Sequence, residues 1–206
     1  MAVALPVNII VRHIQREGIQ IYFPEVVDLE NKDVLRKIND KIVTRVEYLI
    51  DEQFKQQGAE SFIEMIGTFE IKTNQRHVLS LTFGNYAYAA NYAHGLTLMD
   101  SLTVDVETGN CYALQDLFKP NNQYVDILSK EIQRQIIERD LPMLNNFQKI
   151  DENQPFYIAD KSLNIYFQAY EITPGYVGIP VFPINSFLLQ DILLEQGPLA
   201  RMLPSL

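Results

Sequence analysis

The chain has 206 residues, 47% of them hydrophobic and 21% charged, and 26 acidic against 17 basic side chains leave a formal charge of -9. So much apolar matter is enough for a buried core and excludes a disordered chain. The acidic balance, with no clustered Lys/Arg patch, argues against nucleic acid as a partner and weakly favours a basic one. A single cysteine, Cys111, excludes an internal disulfide. Its setting beside Tyr112 reads as a small buried residue, since a reactive thiol needs a nearby cation or helix start. No run approaches the roughly 18 to 20 apolar residues of a membrane span. Met1–Arg16 lacks the basic, apolar and small-residue succession of an export signal. The expected location is therefore cytoplasmic, or extracytoplasmic if an N-terminal export segment has been removed.

In chain order, Val7 to Phe23 gives two branched apolar segments around Arg16-Glu17-Gly18, a hairpin whose second strand is expected to end at Pro24. Asn31 caps a long amphipathic helix reaching Gly58, in which Leu35, Ile38, Ile42, Val46, Leu49 and Ile50 recur at steps of three and four. Phe62–Thr73 and His77–Tyr88 flank a turn, and Leu96–Val106 alternates apolar and polar residues with Asp100 out of place on the apolar side. "ETGN" at 107 to 110 is another turn, after which Cys111–Leu114 is expected to return as a strand. A second helix is predicted from about Asn122 to Arg139, carrying Tyr124, Leu128, Ile132 and Ile136 at four-residue steps, with Pro142 closing it. Phe156–Ala159 and Leu163–Tyr170 read as a further pair of strands. The Pro/Gly-rich tail from Tyr170 to Phe187 reads as an irregular loop leading to one edge strand.

With no linker, repeat or low-complexity segment, residues 1 to 206 are expected to form a single α+β domain. It would be an antiparallel sheet of hairpins and a meander, with two amphipathic helices packed on one face.

The chemistry-bearing residues are sparse. His13, His77 and His94 fall in separate elements, and none has the short spacing of a metal-ligand pair. Phosphate-binding glycine loops, Gly-x-Ser-x-Gly and Cys-x-x-Cys motifs are all missing, so no cofactor is expected. His94 precedes Gly95 after a tyrosine-rich stretch. It reads first as an imidazole bonded to a nearby backbone carbonyl, and second as a base oriented by Asp100 or Asp105. Tyr86, Tyr88 and Tyr92 in one region and Tyr170 and Tyr176 in another could supply an amphipathic surface for a sugar or a protein. Tyr86 and Tyr88 share a parity opposite Asn85 and Ala87, as half-buried strand tyrosines do. The candidate ligand-binding residues are Tyr92, His94, Tyr170 and Tyr176.

The succession "YFPEV" (22 to 26), "AHG" (93 to 95), "SLTVDVETGNCYALQDLF" (101 to 118), "NQPFYI" (153 to 158) and "IYFQAYEITPGYVGIPVFPI" (165 to 184) resembles a bacterial domain of unknown function. That domain is shared by the C-terminal, lysozyme-binding part of the anti-sigma-V factor and the N-terminal region of certain peptidoglycan deacetylases. The likeness covers about residues 20 to 185. It rests on Ala93-His94-Gly95, Asp105, Gly109, Asp116-Leu117-Phe118, Tyr170-Glu171 and Pro174-Gly175-Tyr176. It implies an α+β fold, no assigned enzymatic activity and, as in the anti-sigma factor, capture of lysozyme.

The leading expectation is therefore a noncatalytic binding module for a cell-wall glycan, such as a peptidoglycan fragment, or for a basic wall-acting protein such as lysozyme. The alternatives are a hydrolase using His94 with nearby carboxylates, and an intracellular interaction protein of unknown ligand.

Overall fold

The computed structural model describes residues 7–90, 92–120 and 123–203. The chain divides into two compact units, residues 1–111 and 112–206. The first holds five strands and a helix: β1 (Asn8–Arg16), β2 (Ile19–Val27), α1 (Lys32–Gln57), β3 (Glu64–Gln75), β4 (Val78–Tyr88) and β5 (Leu96–Asp105). Its sheet runs in the order β1-β2-β3-β4-β5.

The α+β class holds, with differences of arrangement. The sheet is mixed rather than wholly antiparallel, because β2 and β3 pair in parallel over Ile19–Ile21 and Met65–Gly67. The cause lies in the order of elements. Two neighbouring strands joined by a helix that crosses back over the sheet must run the same way. The meander β3-β4-β5 is antiparallel, as expected.

Asn31 caps α1 by accepting from the N–H groups of Asp33 and Val34, and Gly58 ends it in the left-handed conformation. The buried stripe of α1 is Val34, Ile38, Ile42, Val46, Leu49, Gln53 and Gln57. Its apolar part packs on Ile21, Met65, Leu79, Leu81, Phe83, Leu98, Leu102 and Val104 of the sheet. Pro24 does not end β2, which continues to Val27 with Pro24 opposite Val11. Val26, of the same parity, donates its N–H to Asn39 Oδ1 at 2.9 Å, and Asn39 Nδ2 donates to Val26 O at 2.9 Å. The N–H that Pro24 lacks would therefore have pointed away from β1, where no ladder bond is lost.

In the second unit a 3-10 turn (Leu114–Leu117) precedes α2 (Tyr124–Glu138). A three-stranded antiparallel sheet, β6 (Phe156–Ala159), β7 (Ser162–Tyr166) and β8 (Val181–Asn185), completes it in that order. The second helix was expected on the same sheet face as the first, but it belongs to this separate sheet. Gln135 Nε2 of α2 donates to Pro183 O at 2.8 Å, and Arg139 Nη1 to Val181 O at 2.9 Å. Pro183 stands in β8, which pairs only with β7, so its missing N–H breaks no ladder. The expected start of α2 at Asn122 lies outside the described residues.

The segment 163 to 170 leaves the sheet at Tyr166, because Glu171 Oε2 accepts from Gln168 N and Glu171 N donates to Gln168 O, closing a turn. Cys111 makes only an isolated bridge to Val104 and is exposed, not buried. No helix among the described residues is long and apolar enough to cross a membrane.

Candidate functional site

The tyrosine-rich stretch follows β4, and its polar residues point both ways. Asn85 and Ala87 face the core while Tyr86 and Tyr88 are half-buried on the other side. Asn85 sits opposite Gly67 and Leu98 in the sheet and is 2% exposed. From α1, Gln53 Nε2 donates to Asn85 O at 2.8 Å and Leu96 O at 3.0 Å. One turn on, Gln57 Nε2 donates to Gln53 Oε1 at 2.8 Å and Ala87 O at 3.2 Å.

The two glutamine amides form a buried network on backbone carbonyls, beside which Asn85 Oδ1 and Gln57 Oε1 find no partner among the described residues. Asn85 also lines a small cleft with Ile21, Val46, Leu49, Gly67 and Phe83, with about 10 Å³ of water-sized space. Room for one water is what an unpaired buried carbonyl calls for. Sequence reasoning missed this cluster. Its signal was the four-residue step of the buried stripe of α1, which runs on past Leu49 into Gln53 and Gln57.

Of the expected site residues in this unit, Tyr92 is exposed, and its hydroxyl donates to Gln57 O at the last turn of α1. That bond ties the loop to the helix end beside Gly58. His94 is exposed, with Nδ1 3.1 Å from Gly95 O. Gly95 is forced by its neighbour: a Cβ there would stand 2.3 Å from the Tyr86 ring. Asn91 lies outside the described residues.

The carboxylates considered as partners for His94 make their bonds elsewhere. Asp100 Oδ2 meets Arg45 Nη1 of α1 at 3.3 Å, and Oδ1 accepts from Ser101 N at 2.7 Å. This resolves its apolar-face position, since the helix supplies a cation there. Burial nonetheless pushes the Asp100 carboxyl above the ordinary aspartate range, with Arg45 and the Ser101 N–H pulling it back. Asp105 Oδ1 accepts from Glu107 N and Thr108 N, both at 3.0 Å, and from Thr108 Oγ1 at 3.2 Å. The "DVETGN" stretch is thus a self-bonded turn, with Gly109 at φ +69°. Lys37 of α1 clamps it through Asn110 Oδ1 at 2.5 Å.

The other two candidates, Tyr170 and Tyr176, stand in the loop between β7 and β8 of the second unit. Tyr170 is a bulky residue at φ +67°, a conformation that disfavours a side chain. Its ring covers Gly175, where a Cβ would come within 2.1 Å of it. Thr173 is fully buried, and its hydroxyl has no partner among the described residues. Gly178 closes the loop at φ 77° and ψ -139°, a region open to glycine. The loop holds Tyr170 at 52% exposure and Tyr176 at 82%.

Residues 115–186 match the model of the family described as "Protein of unknown function (DUF3298)". The chain is 24% identical over 195 residues to the anti-sigma-V factor RsiV of Bacillus subtilis, covering 88% of this chain and 67% of that protein. It is 26% identical over 141 residues to the peptidoglycan-N-acetylmuramic acid deacetylase PdaC of the same organism, covering 62% of this chain but 29% of the deacetylase. The family resemblance seen in the motifs is therefore real, and it extends upstream of the matched family segment.

Crystal structures of two DUF3298 proteins share the fold. One from Bacteroides fragilis has a TM-score of 0.65 at 15% identity, covering 98% of this chain and 97% of the other. One from Pseudomonas aeruginosa has a TM-score of 0.67 at 13% identity, covering 98% of each.

Proposed function

We propose that the chain is a noncatalytic binding module whose ligand is a cell-wall glycan or a basic wall-acting protein such as lysozyme, met outside the cytoplasm. The observation that carries this reading is the loop of residues 167–180. A strained tyrosine at φ +67° and a glycine under its ring fix the loop, while Tyr176 is left 82% exposed. Strain that packing alone does not require points to a function for the loop. An immobilised aromatic offers contact area at low entropic cost.

The relatives favour a cell-wall context for the ligand, since one is a peptidoglycan deacetylase. The charge of -9 suits a basic protein partner by raising the encounter rate. Tyr92, fixed to the helix end through Gln57, is the second anchor, and His94 flanks it. The test is calorimetry of the pure protein with a lysozyme and, separately, with soluble muropeptides. Saturable binding of either, without turnover, supports the module. Cleavage of the muropeptide that is lost in His94→Ala would replace this proposal with the hydrolase.

A further inference from the structure

The two edges of the five-stranded sheet are finished differently. The β5 edge is closed at one end by the bridge from Val104 to Cys111 and by Asp105 N donating to Asn110 O at 2.9 Å. On β1 the side facing away from β2 can be worked out from its pairing. Val26 turns both its backbone groups away from β1, to Asn39, and its register partner is Ile9. Ile9 and Val26 are therefore a pair that exchanges no hydrogen bond, and the N–H and C=O of Ile9 point outward. The register runs without a bulge from Asn8 to Arg16, so Val11, His13 and Gln15 point outward as well.

Among the described residues, no bulge, proline or covering segment protects this edge, and its only guard is its arginines. It is nine residues long, with no proline, glycine or lysine, and Val11 is 62% exposed. Its charges are Arg12, already ion-paired with Glu25 of β2, and Arg16, with His13 between and no acid in the strand. An incoming strand would set every second side chain beside Ile10, Arg12, Ile14 and Arg16. Apolar residues suit the isoleucines and acids suit the arginines. A second copy of the chain fits less well, because two β1 edges bring like-charged arginines together with no acid in either strand to pair Arg16.

We propose that the outer edge of β1 takes up an extended, acidic segment of a partner protein as an added strand, with carboxylates alternating with apolar residues along one face. This is independent of the aromatic loops and their ligand.

The probe is a capped peptide of about nine residues with glutamate and valine alternating on one face and threonine between, titrated into the full chain. The expected result is saturable binding that slows hydrogen exchange at the amides of Ile9, Val11, His13 and Gln15. Arg12 and Ile14 should change little, because their amides already bond β2. Replacing glutamate by lysine in the peptide, or N-methylating the peptide's bonding edge, should weaken binding at least about tenfold. Arg16→Glu in the protein should do the same. Val11→Pro, which removes an outward N–H without touching the β1–β2 ladder, should also block docking while the unfolding transition is kept.

Three results would overturn the proposal. One is no binding, another is equal binding of the lysine peptide, and the third is protection mapping elsewhere. Concentration-dependent dimers that protect the same four amides would assign the edge to a second copy instead.

Discussion

Gly95 and Gly175 each lie under a tyrosine ring, 2.3 Å from Tyr86 and 2.1 Å from Tyr170 if a Cβ were added. The two pairs differ in the backbone that carries the ring. Tyr86 comes from a regular strand, paired to Ile66 on one side and Thr97 on the other, and is half-buried. Tyr170 comes from a turn, at φ +67°, and stands half in solvent. In the first unit the glycine exists so that a strand tyrosine can pack. In the second it exists so that a tyrosine carried by a turn can be held at the surface. The same two residue types, read from sequence, do not tell these uses apart.

The strongest test of this contrast asks whether the two units stand or fall together. Ile42 and Ile132 are 1% and 0% exposed in the separate cores, so Ile42→Ala and Ile132→Ala should each cost about 2 to 5 kcal/mol. In denaturant melts followed by hydrogen exchange, a single cooperative domain predicts that each substitution lowers protection in both units. If each lowers protection in its own unit alone, the chain is two domains and the loops must be treated as separate sites.

The glycines come next. Gly95→Ala should cost about 1 to 3 kcal/mol, because the Tyr86 ring is held by sheet neighbours and has to be driven off its rotamer. Gly175→Ala should cost under about 1 kcal/mol, since Tyr170 can swing into water, yet it should still weaken ligand binding by releasing that ring. Equal costs at the two positions would remove the distinction between a packed and a displayed tyrosine.

How much of this was legible in the sequence depends on where the information sits. Periodicity is local, so α1 and Phe156–Ala159 were placed to within a residue, and the meander followed from alternation. The parallel pair β2–β3 was also implicit, because a helix separates the strands, but the rule acts through topology and not through any residue. Pro24 misled because its cost depends on which way its missing N–H would face, a fact set by Asn39 fifteen residues on. Cys111 misled for the same reason: exposure is decided by what packs over a residue. Tyr92 and Tyr176 stand exposed, as an aromatic surface would need, while the buried Gln53, Gln57 and Asn85 were missed. Polar residues on an apolar stripe look like surface unless the stripe is followed past its last leucine.

A smaller effect is expected at Asp100, the partly buried carboxylate on the apolar face of β5. The Asp100 side chain is 14% exposed, and burial raises its pKa in the folded state despite Arg45. The folded protein therefore binds this proton more tightly than the unfolded chain does. Ionised Asp100 costs stability at pH values above its folded pKa, and the cost fades as the pH falls toward the ordinary aspartate value of about 3.9. Asp100→Asn keeps the acceptor for Ser101 N and should stabilise the protein at pH 7, with the gain shrinking to nothing below about pH 4. Thermal melts of both proteins across this range measure it. A variant that is less stable at pH 7 would show that the Arg45 pair outweighs burial.

The least effect on stability is expected where the effect on binding is largest. Tyr176 is 82% exposed, so Tyr176→Ala should leave the unfolding free energy within about 0.5 kcal/mol. Tyr92→Ala should cost about 0.5 to 1.5 kcal/mol, because the Tyr92 hydroxyl bonds Gln57 O. If these rings anchor a basic wall-acting protein, both substitutions should speed dissociation of lysozyme from immobilised protein and leave association almost unchanged. Salt should act on the other rate. Raising it from about 0.01 to 0.15 M shortens the screening length from roughly 30 to 8 Å, which slows association driven by the -9 charge while dissociation barely moves. The two perturbations thus separate anchors from steering. If Tyr176→Ala alone speeds dissociation, the ligand is read by the displayed tyrosine of the second unit, as the contrast between the glycine pairs predicts. If Tyr92→Ala alone does so, recognition belongs to the loop that the first unit ties to its helix, and the strain at Tyr170 needs another explanation.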